Sequence, residues 1–170
     1  MIVLETERLQ LRRFTLGDAA FVLELLNVPA FIANIGDKQV RSIADAEMYL
    51  NNGPIKSYDD HGFGINLVIL TATGEPIGMC GLIKRPVLEY VDIGYAFLPA
   101  YWSQGYASES ARAIKSYAAE IVGLKRLAAV VSPTNSISIR ILEKLGMRFE
   151  TWFRMSPEDD EIRLYLCDLK

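Results

Sequence analysis

Three strand-like segments, FGINLVILTA (63–72), PIGMCGLIK (76–84) and EYVDIGYAFL (89–98), follow one another with only a few residues between them. Connections that short allow hairpins but not the crossover a parallel pair needs, so the middle of the chain reads as an antiparallel meander. The period then changes. From Ser103 the residues Ala107, Ala111, Ile114, Ala118 and Ile121 recur at alternating intervals of four and three, the spacing of one buried helix face, and Gly123 closes the run.

The flanks complete a mixed α/β pattern. Alternation from Arg8 to Phe14 predicts a strand, and Thr15 with Asp18 has the capping-box pattern for a helix carrying Leu16, Ala20, Leu23 and Leu26. Asn27 and Pro29 stop that helix. Ser42 with Asp45 predicts a second one ending near Gly53, followed by a polar loop, KSYDDHG. After Gly123, RLAAVV reads as a buried strand. A helix with Ile137, Ile141, Leu142 and Leu145 then ends at Gly146, and two strands follow at about 147–155 and 161–169. The expected order is β-αα-βββ-α-β-α-ββ, about seven strands in one domain spanning residues 1–170, with no linker or internal repeat.

Composition narrows the class. Of 170 residues, 51% are hydrophobic and 23% charged, close to the average for globular domains. The net charge is −3 and the 18 Lys and Arg are scattered, so no basic field exists to hold a nucleic acid. No run approaches the roughly 18 apolar residues that span a bilayer, and MIVLETERLQL lacks a cationic start before an apolar core, which predicts neither membrane nor export and a cytoplasmic location. Cys80 and Cys167 lack the paired spacing of metal ligands or a redox dithiol and are expected to be buried free thiols. His61 sits in the polar loop, expected at the surface, and no metal site is indicated.

Two stretches can carry chemistry. In PAYWSQGYASES, Pro99 ends a strand, Gly105 permits a positive φ or a close approach, and Ala107 and Ser108 keep the helix start small. The first turn of a helix has unpaired N–H groups and the positive end of the dipole, so a phosphate or pyrophosphate fits there. The same small residues would also serve close packing of helix on strand. There is no Gly-x-x-x-x-Gly-Lys-Ser/Thr run and no Gly-x-Gly-x-x-Gly fingerprint, which subtracts nucleotide hydrolases and Rossmann enzymes. In the second stretch, SPTNSISIRILEKLGMRF, Asn135, Ser138 and Leu142 share one helical stripe; Asn135 could equally be an ordinary cap, with Ser138 facing solvent.

Taken together, PAYWSQGYASES and NSISIRILEKLGM resemble the coenzyme A loop and the Asn-x-x-Ser helix of the GNAT acetyltransferase superfamily. ETERLQLRRF and VDIGYAFLPAYWSQGYASES are similar to the branch that includes the ribosomal-protein N-terminal acetyltransferases, and the resemblance covers nearly the whole chain. It implies a sheet splayed between the strand ending near Leu98 and the one beginning near Arg126, with pantetheine between them. Backbone around Tyr95 and Phe97 would pair with that arm. The segment Trp102, Ser103, Gln104, Gly105, Tyr106, Ala107 and Ser108 would hold the pyrophosphate, and Asn135 and Ser138 would face the arm from the other side. The chain departs from the family at Trp102 and Ser103, where the general loop has Arg or Gln and often Gly. It departs again at Leu142, where many relatives carry a Tyr that protonates the departing thiolate.

The implied reaction moves an acetyl group from acetyl-CoA to a primary amine, for which a base must take the amine's proton and an acid must protonate the sulfur. Asp92, with Glu89 nearby, is the candidate base, against the alternative of an exposed strand charge. Ser138 and Tyr165 are the candidate acids, although a strand tyrosine commonly belongs to a core. A protein N-terminus is the expected acceptor and a small-molecule amine the alternative; a non-catalytic acyl-CoA sensor would keep the loop and lack an amine pocket. The expected assembly is a monomer or homodimer.

Overall fold

A computed structural model describes residues 1–170. One eight-stranded sheet runs through the molecule: β1 (Ile2–Glu5), β2 (Leu9–Arg13), β3 (Ile65–Leu70), β4 (Glu75–Ile83), β5 (Asp92–Phe97), β6 (Arg126–Val131), β7 (Arg148–Phe153) and β8 (Ile162–Asp168), in the spatial order β1-β2-β3-β4-β5-β6-β8-β7. Every neighbouring pair is antiparallel except β5 and β6. The predicted meander is β3-β4-β5.

The helices are α1 (Ala19–Leu26), α2 (Pro29–Asn34), α3 (Ile43–Leu50), α4 (Lys56–His61), α5 (Tyr106–Tyr117) and α6 (Ser136–Lys144). Strand alternation sends side chains to both faces of the sheet, and each face is covered by its own helices. On one face Ala111 and Ile114 of α5 and Leu142 of α6 pack with Leu9, Ile77 and Leu127. On the other, Phe21, Val22 and Leu25 of α1 and Leu50 of α3 pack with Leu67 and Met79. The capping signals operate: the Asp18 carboxylate accepts from the Thr15 N–H at 2.9 Å, and the Ser42 hydroxyl accepts from Asp45 N–H at 3.0 Å.

Three expectations need correction. The sheet has eight strands rather than about seven, because Ile2–Glu5 folds back on β2 as an edge strand. The first helix does end at Leu26, but Pro29 also opens a new helix, since its fixed φ and missing donor suit the first helical position. The segment 56–62 is not a polar loop, for α3 continues through a π-helical turn, Asn51–Ile55, into α4. Tyr58 explains this turn of helix. Its ring is buried, and its hydroxyl donates to the Ile65 carbonyl while accepting from the Phe14 N–H at 3.0 Å, tying α4 to the sheet.

Candidate active site

The one parallel contact in the sheet is also its weakest seam. Only Asp92 and Ala128 are in register between β5 and β6, with the Ala128 N–H donating to the Val91 carbonyl at 2.9 Å. Beyond that point the strands part. Leu98 donates back to Ile77 on β4, so the alternation of β5 turns the backbone groups of Ile93 and Tyr95 toward the gap. The gap opens into a cleft of about 1410 Å³ that also reaches α2, α4, the 101–108 loop and α6.

At the open end of β5 the chain makes a short 3-10 turn, Pro99–Tyr101, and then a loop with two left-handed residues, Ser103 (φ 61) and Gly105 (φ 83). Glycine takes that conformation freely, whereas serine does so at a cost of about 1 kcal/mol. Ser103 therefore keeps the backbone path that glycine would suit. The Trp102 indole donates to the Phe97 carbonyl at 2.8 Å, which fastens the loop to the strand and takes one of the backbone groups expected to face pantetheine. The first intrahelical bond of α5 runs from Glu109 to Gly105, and the amides from Ser103 to Ser108 donate to no other protein group. Six successive N–H groups at a helix N-terminus fit a pyrophosphate.

This loop is braced from the far edge of the sheet. Glu109, one turn into α5, accepts from the Thr6 hydroxyl at 2.7 Å, the Arg8 N–H at 2.9 Å and Arg8 Nε at 2.7 Å. Arg8 Nη1 also donates to the Gln104 carbonyl at 2.9 Å, and its guanidinium lies 4.4 Å above the Tyr106 ring. Burial alone would raise the Glu109 carboxyl, but these donors outweigh it and hold its pKa below the ordinary value. A Cβ on Gly105 would lie 3.3 Å from Arg8 Nη2, so the close approach is real as well as the positive φ.

At the closed end of the seam lies Asp92, 1% exposed. It is not the exposed strand charge weighed as the alternative. Burial raises its pKa to about 6, an effect only partly offset by Arg85, whose Nε donates to Asp92 Oδ1 at 3.0 Å. Glu89 is exposed, outside this pair.

Asn135 is the N-cap of α6, its Oδ1 accepting from the Ser138 N–H at 3.2 Å, which leaves its side-chain NH2 for the cleft it lines. The Ser138 hydroxyl is 2.8 Å from the Tyr95 hydroxyl, which crosses from β5 to α6. Burial raises the Tyr95 phenol to about 12, so it is protonated at neutral pH.

Several expected site residues lie elsewhere. Tyr165 is 1% exposed, opposite Ala129 across the β6–β8 pair and edge-on to Phe149, and it does not line the cleft. The Phe97 and Tyr106 rings are buried in the core under α5, so what they bring to the cleft is mainly backbone. Leu142 is a core residue, 2% exposed. Cys80 is buried as expected, whereas Cys167 is only half-buried, because β8 is covered incompletely on that side. His61 is exposed at the end of α4, stacked on Phe63. Arg8, Glu109, Arg85 and the Tyr95 phenol were missed by sequence reasoning. Arg8 and Glu109 meet across a separation of 101 residues, and no local spacing announces such a pair.

A family model described as acetyltransferase (GNAT) domain matches residues 8–148. An uncharacterized Bacillus subtilis protein, YkkB, is 30% identical over 159 residues, covering 89% of this chain and 88% of that one. A GNAT-family acetyltransferase from Bacillus anthracis has a similar structure, with a TM-score of 0.80 and 28% identity over 99% of this chain and 98% of that one. RimL, a ribosomal alpha-N-protein acetyltransferase solved in complex with coenzyme A, superposes with a TM-score of 0.83 at 16% identity, covering 99% of this chain and 98% of that one. The splayed seam, the amide-lined loop and the matching family model agree: the chain belongs to the GNAT acetyltransferase family and is an N-acetyltransferase.

Proposed function

We propose that this protein transfers the acetyl group of acetyl-CoA to the α-amine of a protein N-terminus. The observation that carries the reading is the β5–β6 seam, with an anion-binding loop at its open end and a buried, proton-accepting carboxylate at its closed end. The Ser103–Ser108 amides hold the pyrophosphate, and the gap-facing backbone of Ile93 and Tyr95 pairs with the pantetheine amides. Asn135 approaches the arm from α6. Acetyl-CoA bound in this way supplies an activated acyl group next to Asp92.

The chain's own groups then divide the proton work. Asp92, with a pKa near 6, is charged at neutral pH yet basic enough to take a proton from the incoming amine, directly or through water. An α-amine, with a reference pKa of about 7.7–8.0, needs less help than a lysine at about 10.4. Backbone N–H groups of β5 facing the gap stabilise charge that develops on the carbonyl oxygen. Ser138, backed by the Tyr95 hydroxyl, is the donor placed to protonate sulfur, taking over the role that the leucine at position 142 cannot perform. Tyr165, enclosed in the core, takes no part.

RimL, an alpha-N-protein acetyltransferase of the same fold solved with coenzyme A, supports the cosubstrate and the peptide acceptor. No helix is long and apolar enough to cross a membrane. Release of free thiol from acetyl-CoA, measured against peptides with free or blocked N-termini and against small amines, tests the reading. Turnover of free-amine peptides only is expected; turnover of small amines alone would move the acceptor class, and acetyl-CoA binding without release to any acceptor would favour a sensor.

A further inference from the structure

We infer that the acceptor carries a carboxylate within a few bonds of its reacting amine, held by Arg85 and Lys38, and that it is an acidic protein N-terminus. This rests on the reading of the cleft as an acetyl-transfer site. With the pyrophosphate held beyond Phe97, the opposite end of β5, roughly 17 Å away for six extended residues, is where the acceptor must enter. That end is not neutral.

Arg85 lies in the β4–β5 connection and has five N–H donors. Only Nε is engaged, on Asp92; Nη1 and Nη2 donate to no protein group, and the residue lines the cleft. Lys38, from the α2–α3 connection, lines the same cleft with no protein partner for its ammonium. Lys38 is an exposed residue at the rim of the cleft, and partial desolvation there, followed by the Arg85 charge, draws its pKa down. Both cations line the one cleft, and the carboxylate in contact with Arg85 is Asp92. Their presentation is fixed by the fold: Asp37 accepts from the Gln39 N–H at 2.8 Å and from Arg41 Nη2 at 2.6 Å, and Gln39 is left-handed, with φ 57.

The cleft carries further charges besides this pair and the Asp92 carboxylate on Arg85, among them Arg140 and Lys144 of α6. Lys56 is bound to Asp60 at 2.6 Å, Lys84 donates to the Glu89 carbonyl at 3.4 Å, and Asp159 and Asp160 belong to the β7–β8 connection across the seam. An acceptor whose ammonium approaches Asp92 meets Arg85 immediately beside it, because the two side chains touch. A carboxylate a few bonds from the amine satisfies the free guanidinium nitrogens of Arg85. A polyamine would instead place a second positive charge against them. The Asp or Glu side chain of a first or second residue supplies such a carboxylate, and so does a free acidic amino acid.

The test titrates coenzyme A-loaded protein with short peptides whose N-terminal residue is Asp, Glu, Ala or Lys, alongside free aspartate, free glutamate and spermidine, and repeats the series with Lys38→Glu. Asp- and Glu-first peptides should bind and turn over about tenfold better than Ala-first peptides, with Lys-first peptides and spermidine weakest, and the variant should reverse that order. Acetylation of the peptides alone places the anion at a protein N-terminus, while equal use of free aspartate with the same dependence on Lys38 would overturn the protein acceptor and keep the carboxylate. Indifference to peptide charge, or an order unchanged in Lys38→Glu, would overturn the inference and leave the acetyl-transfer reading standing. Failure to bind acetyl-CoA would instead remove that reading, and this inference with it.

Discussion

Asp92, the proposed base, is a single buried carboxyl at the closed end of the seam. Its pKa of about 6 has two consequences of opposite sign. As a base it must be charged, so activity should fall as pH drops through about 6. As a buried group it prefers its proton, so its contribution to stability is fully present below the ordinary aspartate value and is lost as pH rises from about 4 toward 6. Asp92→Asn should lower kcat by about 10²-fold or more, abolish the activity limb near pH 6, and leave acetyl-CoA affinity intact. A pH–rate profile beside a titration checks this; a variant that keeps wild-type kcat and the same limb would remove Asp92 from the reaction. Burial created this property, and neither the residue type nor its position in VDIGYAF announces it.

At the scale of elements, the hairpin β1–β2 acts on a loop it does not belong to. Arg8 joins Glu109 on α5 to the Gln104 carbonyl, so the N-terminal edge of the sheet sets the position of the six free amides. Arg8→Ala should raise the KM for acetyl-CoA about tenfold while kcat at saturation stays near wild type, because the groups at Asp92 are untouched. Steady-state kinetics in acetyl-CoA separates the two parameters, and an unchanged KM would show that the loop holds its shape without the brace. The loss in overall stability should be small, about 1 kcal/mol, since Arg8 is partly exposed.

The elements differ in how much of themselves they declare in sequence. The stretch from Ser103 was legible as far as Ala118, because a single helix face has to meet the sheet every third or fourth residue; Ile121, expected on that face, is exposed because the last turn before Gly123 (φ 80) is π-helical. α4 was not legible: its residues are mostly polar, and what makes them helical is one tertiary anchor, Tyr58, reaching Phe14 and Ile65. β1 was hidden by its brevity, four residues whose only sheet partner is β2. The loop before α5 could be read because its requirement is local, small residues at a helix start. The Arg85–Asp92 and Tyr95–Ser138 pairs could not, because each is made by folding.

For the whole molecule, the proposed function rests on a fault in an otherwise continuous sheet. Two separate apolar clusters, one on each face, hold β1–β5 together as a meander and fasten β6, β8 and β7 beside it, while the β5–β6 junction retains a single registered pair. The ladder bonds that a regular parallel pair would make are not made there, and the loop and helix start with free amides line the same cleft. A cosubstrate that binds the folded state should therefore complete the sheet as it stabilises the protein. At 100 times its dissociation constant it would add about 2.7 kcal/mol.

The most direct test of this account is isothermal titration of acetyl-CoA into the wild-type protein and into Gly105→Glu, with the fold of the variant verified by circular dichroism. A carboxylate at position 105 brings charge and bulk to the amide cradle. The account predicts saturable, roughly one-to-one binding by the wild type and affinity at least about 100-fold weaker in the folded variant. Equal affinity in the two proteins, or no binding by the wild type, would contradict it.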